Sequence, residues 1–197
     1  MNPINIAIVY HSGYGHTARQ AEAIRDGVAQ VEGVTAQLIS TEVVQQHWND
    51  LTAAEAIIFG APTYMGSASA QFKTFMDATS SEVFAQGSLW KDKIAAGFTN
   101  SASRNGDKAE TLSQLAIFAA QHGMHWVNLG LPPANNSSKG SEEDLNRLGF
   151  FLGAAAQSNA DESPEIAPTR ADLKTAAHLG RRVAETTLQF VRGRLRQ

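Results

Sequence analysis

Tyr10-His11-Ser12-Gly13-Tyr14-Gly15-His16-Thr17 is the stretch whose reading decides the fold. Ahead of it, Ile4 to Val9 is a near-continuous run rich in β-branched residues, the pattern of a strand buried on both faces. Behind it, Ala18 to Val31 sets Ala18, Ala21, Ile24, Val28 and Val31 at three- and four-residue spacing, so one helical face is apolar. Gly33 ends that helix. A strand that turns through two glycines straight into a helix leaves backbone N–H groups free at the positive end of the helix dipole. Such a terminus binds phosphate. Gly13 and Gly15 permit positive φ and close backbone approach. Ser12, His16 and Thr17 add side-chain donors.

Outward from this loop the chain alternates strands with helices. Val34 to Ser40 predicts a second strand, Ala56 to Gly60 a third, Ile94 to Thr99 a fourth and His125 to Leu129 a fifth. Thr41 to Ala54 carries only a weak helical signal. Helices are expected over Ser69 to Thr79 (Phe72, Phe75 and Met76 on one face), Glu110 to Gln121 (Leu112, Leu115, Ile117 and Phe118) and Thr169 to Val191. Gly130 to Asp144 has Pro132-Pro133 and a run of Asn and Ser, and reads as a flexible lid or a surface excursion. Leu148 to Ala156 is apolar and returns to the core as a further extended segment; Asn159 to Pro168 reads as loop. The alternation implies right-handed crossovers. The expected architecture is α/β: one domain over 1–197, a doubly wound five-stranded parallel sheet in order 2-1-3-4-5, with helices on both faces. Ligands in such sheets sit at the carboxyl ends of the strands near the switch point, so the loops after strands one, three and four should share a pocket.

The second of these loops is Pro62-Thr63-Tyr64-Met65-Gly66. Pro62 fixes the chain as it leaves the sheet, and the following residues offer amides and a flat aromatic. The third is Asn100-Ser101-Ala102-Ser103-Arg104-Asn105-Gly106-Asp107, rich in donors, with Arg104 able to meet a phosphate. Either loop alone reads as ordinary connection. Three long, polar, glycine-bearing loops at one end of the sheet do not, because connections in α/β folds are typically ~2–6 residues. A dinucleotide fingerprint competes for the first loop, since Gly13-Tyr14-Gly15-His16-Thr17-Ala18 fits G-x-G-x-x-A. No acidic residue ends the second strand, where Ser40 stands, so the match is weak.

Composition excludes several classes. The formal net charge is −3, with no basic footprint for nucleic acid. There are no cysteines, so thiol redox chemistry and cysteine-held clusters are excluded, and redox work requires a bound cofactor. The six histidines are scattered without metal-ligand spacing, so no metal is expected. The absence of an apolar leader, and of any apolar run near the ~20 residues that span a bilayer, makes a cytoplasmic chain without membrane insertion the expectation. His122, where the third long helix stops, reads by position as a charge complementing the helix dipole.

Taken together, Ser12 to Thr17, Ala56 to Gly66 and His122-Gly123-Met124 resemble the WrbA-like NAD(P)H:quinone oxidoreductases, a flavodoxin-like, FMN-binding family. The resemblance covers most of the chain. It implies that Ser12, Gly13, Tyr14, Gly15, His16 and Thr17 hold the FMN phosphate, with Tyr14 also touching the NAD(P)H donor. It implies that Pro62, Thr63, Tyr64, Met65 and Gly66 contact the flavin ring, with Tyr64 where the family often has arginine. Asn100, Ser101, Ala102, Ser103, Arg104 and Asn105 match the third flavin loop, and His122 matches a histidine at the flavin site. Phe84, or Trp90 nearby, matches an aromatic that the family lends to the substrate pocket. Tyr14 and His122 are the candidate catalytic groups. The implied activity is two-electron reduction of a quinone by NAD(P)H through flavin N5, in a homodimer or homotetramer. The other readings are a flavodoxin-type one-electron carrier and a non-catalytic FMN- or nucleotide-binding module.

Overall fold

The computed structural model describes residues 3–194. The chain runs β1 (Ile4–Tyr10), α1 (His16–Val28), β2 (Val34–Ser40), α2 (Trp48–Ala53), β3 (Ala56–Tyr64), β4 (Ser67–Ala68), α3 (Ala70–Thr79), β5 (Ile94–Ser101), α4 (Lys108–Gln121), β6 (His125–Trp126), β7 (Ala154–Gln157) and α5 (Arg170–Arg194). The central order is β2-β1-β3-β5, all parallel, as the alternation implied. Residue parity assigns the two faces. Ala7, Val9, Ile57 and Phe59 pack with Leu51, Phe72, Phe75, Trp90 and Phe118 on one side. Ile6, Ile8, Ile58 and Phe98 pack with Ile24, Val28, Leu179 and Val183 on the other. There α1 and α5 cross closely: a Cβ at Gly27 would fall 1.9 Å from the carbonyl oxygen of Ala177, and one at Gly180 would fall 2.1 Å from that of Ile24. No helix among the described residues is long and apolar enough to cross a membrane.

The fifth strand departs from expectation, because its place in the sheet is filled in two pieces. β6 pairs with Ile94 and Ala95 at the start of β5, and β7 pairs with Phe98 to Ser101 at its end. The expected strand over His125 to Leu129 stops early. Val127 still donates to Ala95 at 2.7 Å, but Leu129 already donates to Phe151. Residues 127–153 leave the sheet between the two pieces. The chain returns where glycine lets two backbones meet: a Cβ at Gly153 would lie 2.1 Å from the carbonyl oxygen of Gly97. The apolar stretch expected to return to the core therefore does so as β7.

β3 runs on through Pro62 to Tyr64, past the end expected at Gly60. β1 pairs with β3 only as far as Gly60, so Pro62 lies beyond that neighbour, where its missing N–H interrupts no ladder. Beyond it, Tyr64 pairs with Ser67 across Met65 and Gly66, whose φ values are 49° and 88°. Two successive positive φ values are those of a type I′ hairpin turn.

Candidate cofactor site

The three loops converge. Ser12, Tyr14, His16 and Thr17 after β1, Pro62 to Gly66 after β3, and Asn100 to Ser103 after β5 line one cleft of about 650 Å³. That volume lies within the range of cofactor pockets, ~300–1,000 Å³. Gly106 and Asp107, and Ser158 and Ala160 beyond β7, complete the wall. Gly106 and Asp107 belong to the third loop, whereas Ser158 and Ala160 were not expected from the sequence. The signal for Ser158 and Ala160 was the small-residue run Ala154 to Ala156, which reads as a buried strand and so delivers its following loop to the same end of the sheet.

The first loop is held by backbone geometry. Gly15 is the N-cap of α1 with φ 88° and so brings no capping side chain of its own, and the first turn has no acid. Ser12 Oγ accepts from the N–H of Ala18 at 3.1 Å and draws the loop over the helix start. A Cβ at Gly13 would fall 2.7 Å from Tyr64 Oη, and one at Gly15 would fall 2.4 Å from Pro164 Cγ. His16 Nε2 lies 2.8 Å from the carbonyl oxygen of Glu162, which can only accept, so Nε2 carries the proton. Just before the loop, His11 is buried and its Nδ1 sits 2.8 Å from Ser69 Oγ. Burial lowers its pKa, with a smaller opposing effect of Glu42.

In the second loop Thr63 is buried and anchored, its Oγ1 2.7 Å from Thr99 Oγ1 and 2.8 Å from Thr111 Oγ1. Tyr64 leans across the cleft, its ring edge-on to Tyr14 at 6.2 Å between centroids. Burial raises its pKa, helped by Tyr14 and opposed by a hydrogen bond from the Gly13 backbone. Met65 and Tyr14 stand fully and largely exposed at the rim.

The third loop is held by distant residues. Asn100 Nδ2 donates to Ser158 Oγ at 2.9 Å, and Gln157 Nε2 donates to the Ala102 carbonyl at 2.8 Å. Gln157 is tied through its N–H to Asp172 of α5, which forms two 2.8 Å bonds with buried Arg147. Here Arg104 departs from expectation. Its guanidinium pairs with Glu142 at 2.8 Å, and Arg104 is not among the residues that line the cleft. The Asn105 carbonyl likewise faces Lys108.

His122, Phe84 and Trp90 are not at the cleft. α4 starts at the carboxyl end of β5 and returns to its start, so His122 lies at the amino end of the sheet, about 20–25 Å away at ~3.3 Å per strand residue. There His122 and Phe84 line a second pocket of about 310 Å³ with Met76, Thr79 and Phe118. His122 Nε2 is 2.9 Å from Thr79 Oγ1, and its Nδ1 has no partner. Burial lowers its pKa, so it is neutral at pH 7 and does not act as the dipole's counter-charge. Trp90 is wholly buried, packed on Phe59, Phe75 and Phe118, and cannot touch a substrate. Among the described residues no cluster of His, Cys, Asp or Glu could hold a metal.

The residues of the cleft fit FMN. A doubly charged phosphate needs converging donors, which the α1 terminus, Ser12 and Thr17 provide. At Gly13 and Gly15 in that turn a Cβ would collide with Tyr64 and Pro164, so only glycine fits the backbone as it is packed there. The ring needs an apolar wall beside amides, and Tyr64, Met65 and the third loop offer both.

A doubly wound parallel sheet with a phosphate-type turn at its switch point defines the flavodoxin-like class. Comparison with known proteins narrows it. Residues 32–137 match the family described as NADPH-dependent FMN reductase. Flavodoxin FldP of Pseudomonas aeruginosa is 45% identical over 93% of this chain and 96% of its own. An NAD(P)H dehydrogenase (quinone) of Geobacter sulfurreducens is 32% identical over 92% and 97%. The crystal structure of a WrbA-like flavodoxin from Agrobacterium tumefaciens superposes with TM-score 0.73 at 41% identity, covering 94% of this chain and 98% of the other. The chain belongs to the FMN reductase family and, within it, to the WrbA-like NAD(P)H:quinone oxidoreductases. It is thus an FMN-dependent oxidoreductase with NAD(P)H as electron donor.

Proposed function

We propose that this chain reduces quinones by two electrons at the cleft where its three loops converge. The observation that carries this reading is the αL-entered start of α1, facing Tyr64 and the third loop across that cleft. FMN held there would supply the redox chemistry, a hydride acceptor for NAD(P)H and a two-electron donor for the quinone.

The chain's own residues bind and orient. Backbone N–H groups from Gly13 to Thr17, with Ser12 and Thr17 hydroxyls, hold the phosphate. Thr63, fixed by Thr99 and Thr111, sets the level of the ring. Tyr64 and Met65 flank it, and Tyr14 stands at the rim, where nicotinamide and quinone enter in turn. The third-loop amides face the ring's polar edge. His122 and Phe84 of the same chain are too far to reach it, so they act on flavin only from a second copy, in a homodimer or homotetramer. Their joint pocket, with the unpartnered His122 Nδ1, supports that role.

Reconstituted with FMN, the protein should oxidise NAD(P)H in the presence of benzoquinone, at a rate far above its oxidation in air. FMN bound without such turnover favours a one-electron carrier, the reading supported by the likeness to a protein named flavodoxin. Absence of FMN binding leaves a non-catalytic module and sinks the proposal. Mixing a Gly15→Val chain with a His122→Ala chain tests the second copy: activity above that of either alone supports a shared site.

A further inference from the structure

The helix behind the third loop starts with a buried lysine. Lys108 is fully buried, and its Nζ donates to the carbonyl oxygens of Ser103, of Arg104 at 2.9 Å and of Asn105 at 3.4 Å. Among the described residues no carboxylate bonds to it. Asp172, whose field reaches it, is already engaged twice by Arg147. Taking an ammonium out of water costs several kcal/mol, so a fold keeps one there only if something recovers the cost.

The carbonyls also set the direction of the loop's amides. A trans peptide is planar, so the C=O of one residue and the N–H of the next point in opposite directions. With three successive carbonyls turned to Lys108, the N–H groups of Arg104, Asn105 and Gly106 turn the other way. None of these three has a backbone partner. The same loop faces the cleft through Ser103, Gly106 and Asp107.

We propose that Lys108 is a positioning residue for the reduction step: its buried charge orients the third-loop amides and sets positive potential behind the N1–C2 edge of the flavin. This rests on the FMN reading above. In that step the nicotinamide C4–H bond breaks and an N5–H bond forms. The electron pair moves to the ring, the nicotinamide is left cationic, and one negative charge spreads over N1 and the C2 carbonyl. No proton is required. An ammonium fixed beforehand in a medium of low dielectric favours that charge without having to reorganise.

Lys108 is held at about 8, chiefly by burial, with Asp172 raising and Arg147 lowering it. The charged groups around it are Asp172 of α5, Arg147 of the 127–153 excursion, and Arg104 and Asp107 of its own loop. Negative charge on the ring raises its proton affinity. Around pH 8–9, between its pKa with oxidised and with reduced cofactor, reduction therefore takes up a fraction of an extra proton.

The test is the midpoint potential of FMN on the full-length protein, by dye equilibration, for wild type and Lys108→Met. The variant should favour the reduced cofactor about tenfold less, a shift of about 30 mV to more negative potential for two electrons. Oxidised FMN, titrated by fluorescence, should be retained. In wild type the plot of potential against pH should steepen around pH 8–9 and end about 30 mV below the line extended from lower pH, which a purely structural lysine would not produce. If the variant does not fold, this wild-type slope decides. An unshifted variant potential, or a wild-type slope constant to pH 10, overturns the inference alone. A wild-type chain that binds no FMN overturns the parent reading as well.

Discussion

The loop after β1 and the loop after β5 face each other across one cleft, yet they are held by different means. The first takes its shape from its own residues, a left-handed Gly15 and the Ser12 hydrogen bond to Ala18, with His16 on the Glu162 carbonyl and Pro164 against Gly15 as its contacts from far along the chain. The third is held by a buried lysine just beyond it and by groups from far along the chain. Lys108 fixes its carbonyls, Gln157 binds Ala102, and Asp172 ties Gln157 to Arg147. The difference teaches that a phosphate cradle can be written in eight consecutive residues, whereas a loop that must meet a change of ring charge is built from the tertiary fold.

Gly15→Val should have the largest effect. A β-branched side chain at φ 88° is strained, and its Cβ would overlap Pro164. FMN retention should be lost while circular dichroism still shows the fold; normal FMN titration would break the claim that the first loop is the anchor. Asp172→Asn should come next. It leaves the buried guanidinium of Arg147 with only the half-exposed Glu142 as charge partner, at a cost of up to about 3 kcal/mol in denaturant unfolding. It should also weaken FMN binding through Gln157 and Ala102, by less than the glycine change. Unaltered FMN affinity in a destabilised protein would separate the third loop from its support. Arg104→Ala should have the smallest effect, because that side chain is exposed and faces Glu142. The FMN dissociation constant should not move. A tenfold rise would return Arg104 to the phosphate and break the contrast.

Much of the fold was legible, because period and punctuation are local. β1, α1 and β2 stand within a few residues of their expected bounds, and the central sheet order follows from alternation and handedness. The division of the fifth strand was not legible. His125 to Leu129 has strand composition throughout, and only the return of Gly153 onto Gly97 decides that β7 takes the second half. Of the site, the first and second loops sit as read. Trp90 failed because aromatic residues do not announce whether they face a pocket or the core. His122 and Phe84 lie at the other end of the sheet because a crossover helix travels its full length back.

By itself the sequence determined the strand-loop-helix start, the alternation and hence the class of fold, since these depend on residues adjacent along the chain. Tertiary structure alone decided which groups share a cleft. The burial of Lys108, the turn of Arg104 toward Glu142 and the wall formed by Ser158 and Ala160 depend on neighbours 38 or more positions away or on a fully excluded solvent. Burial and direction arise from packing, and no local pattern encodes them.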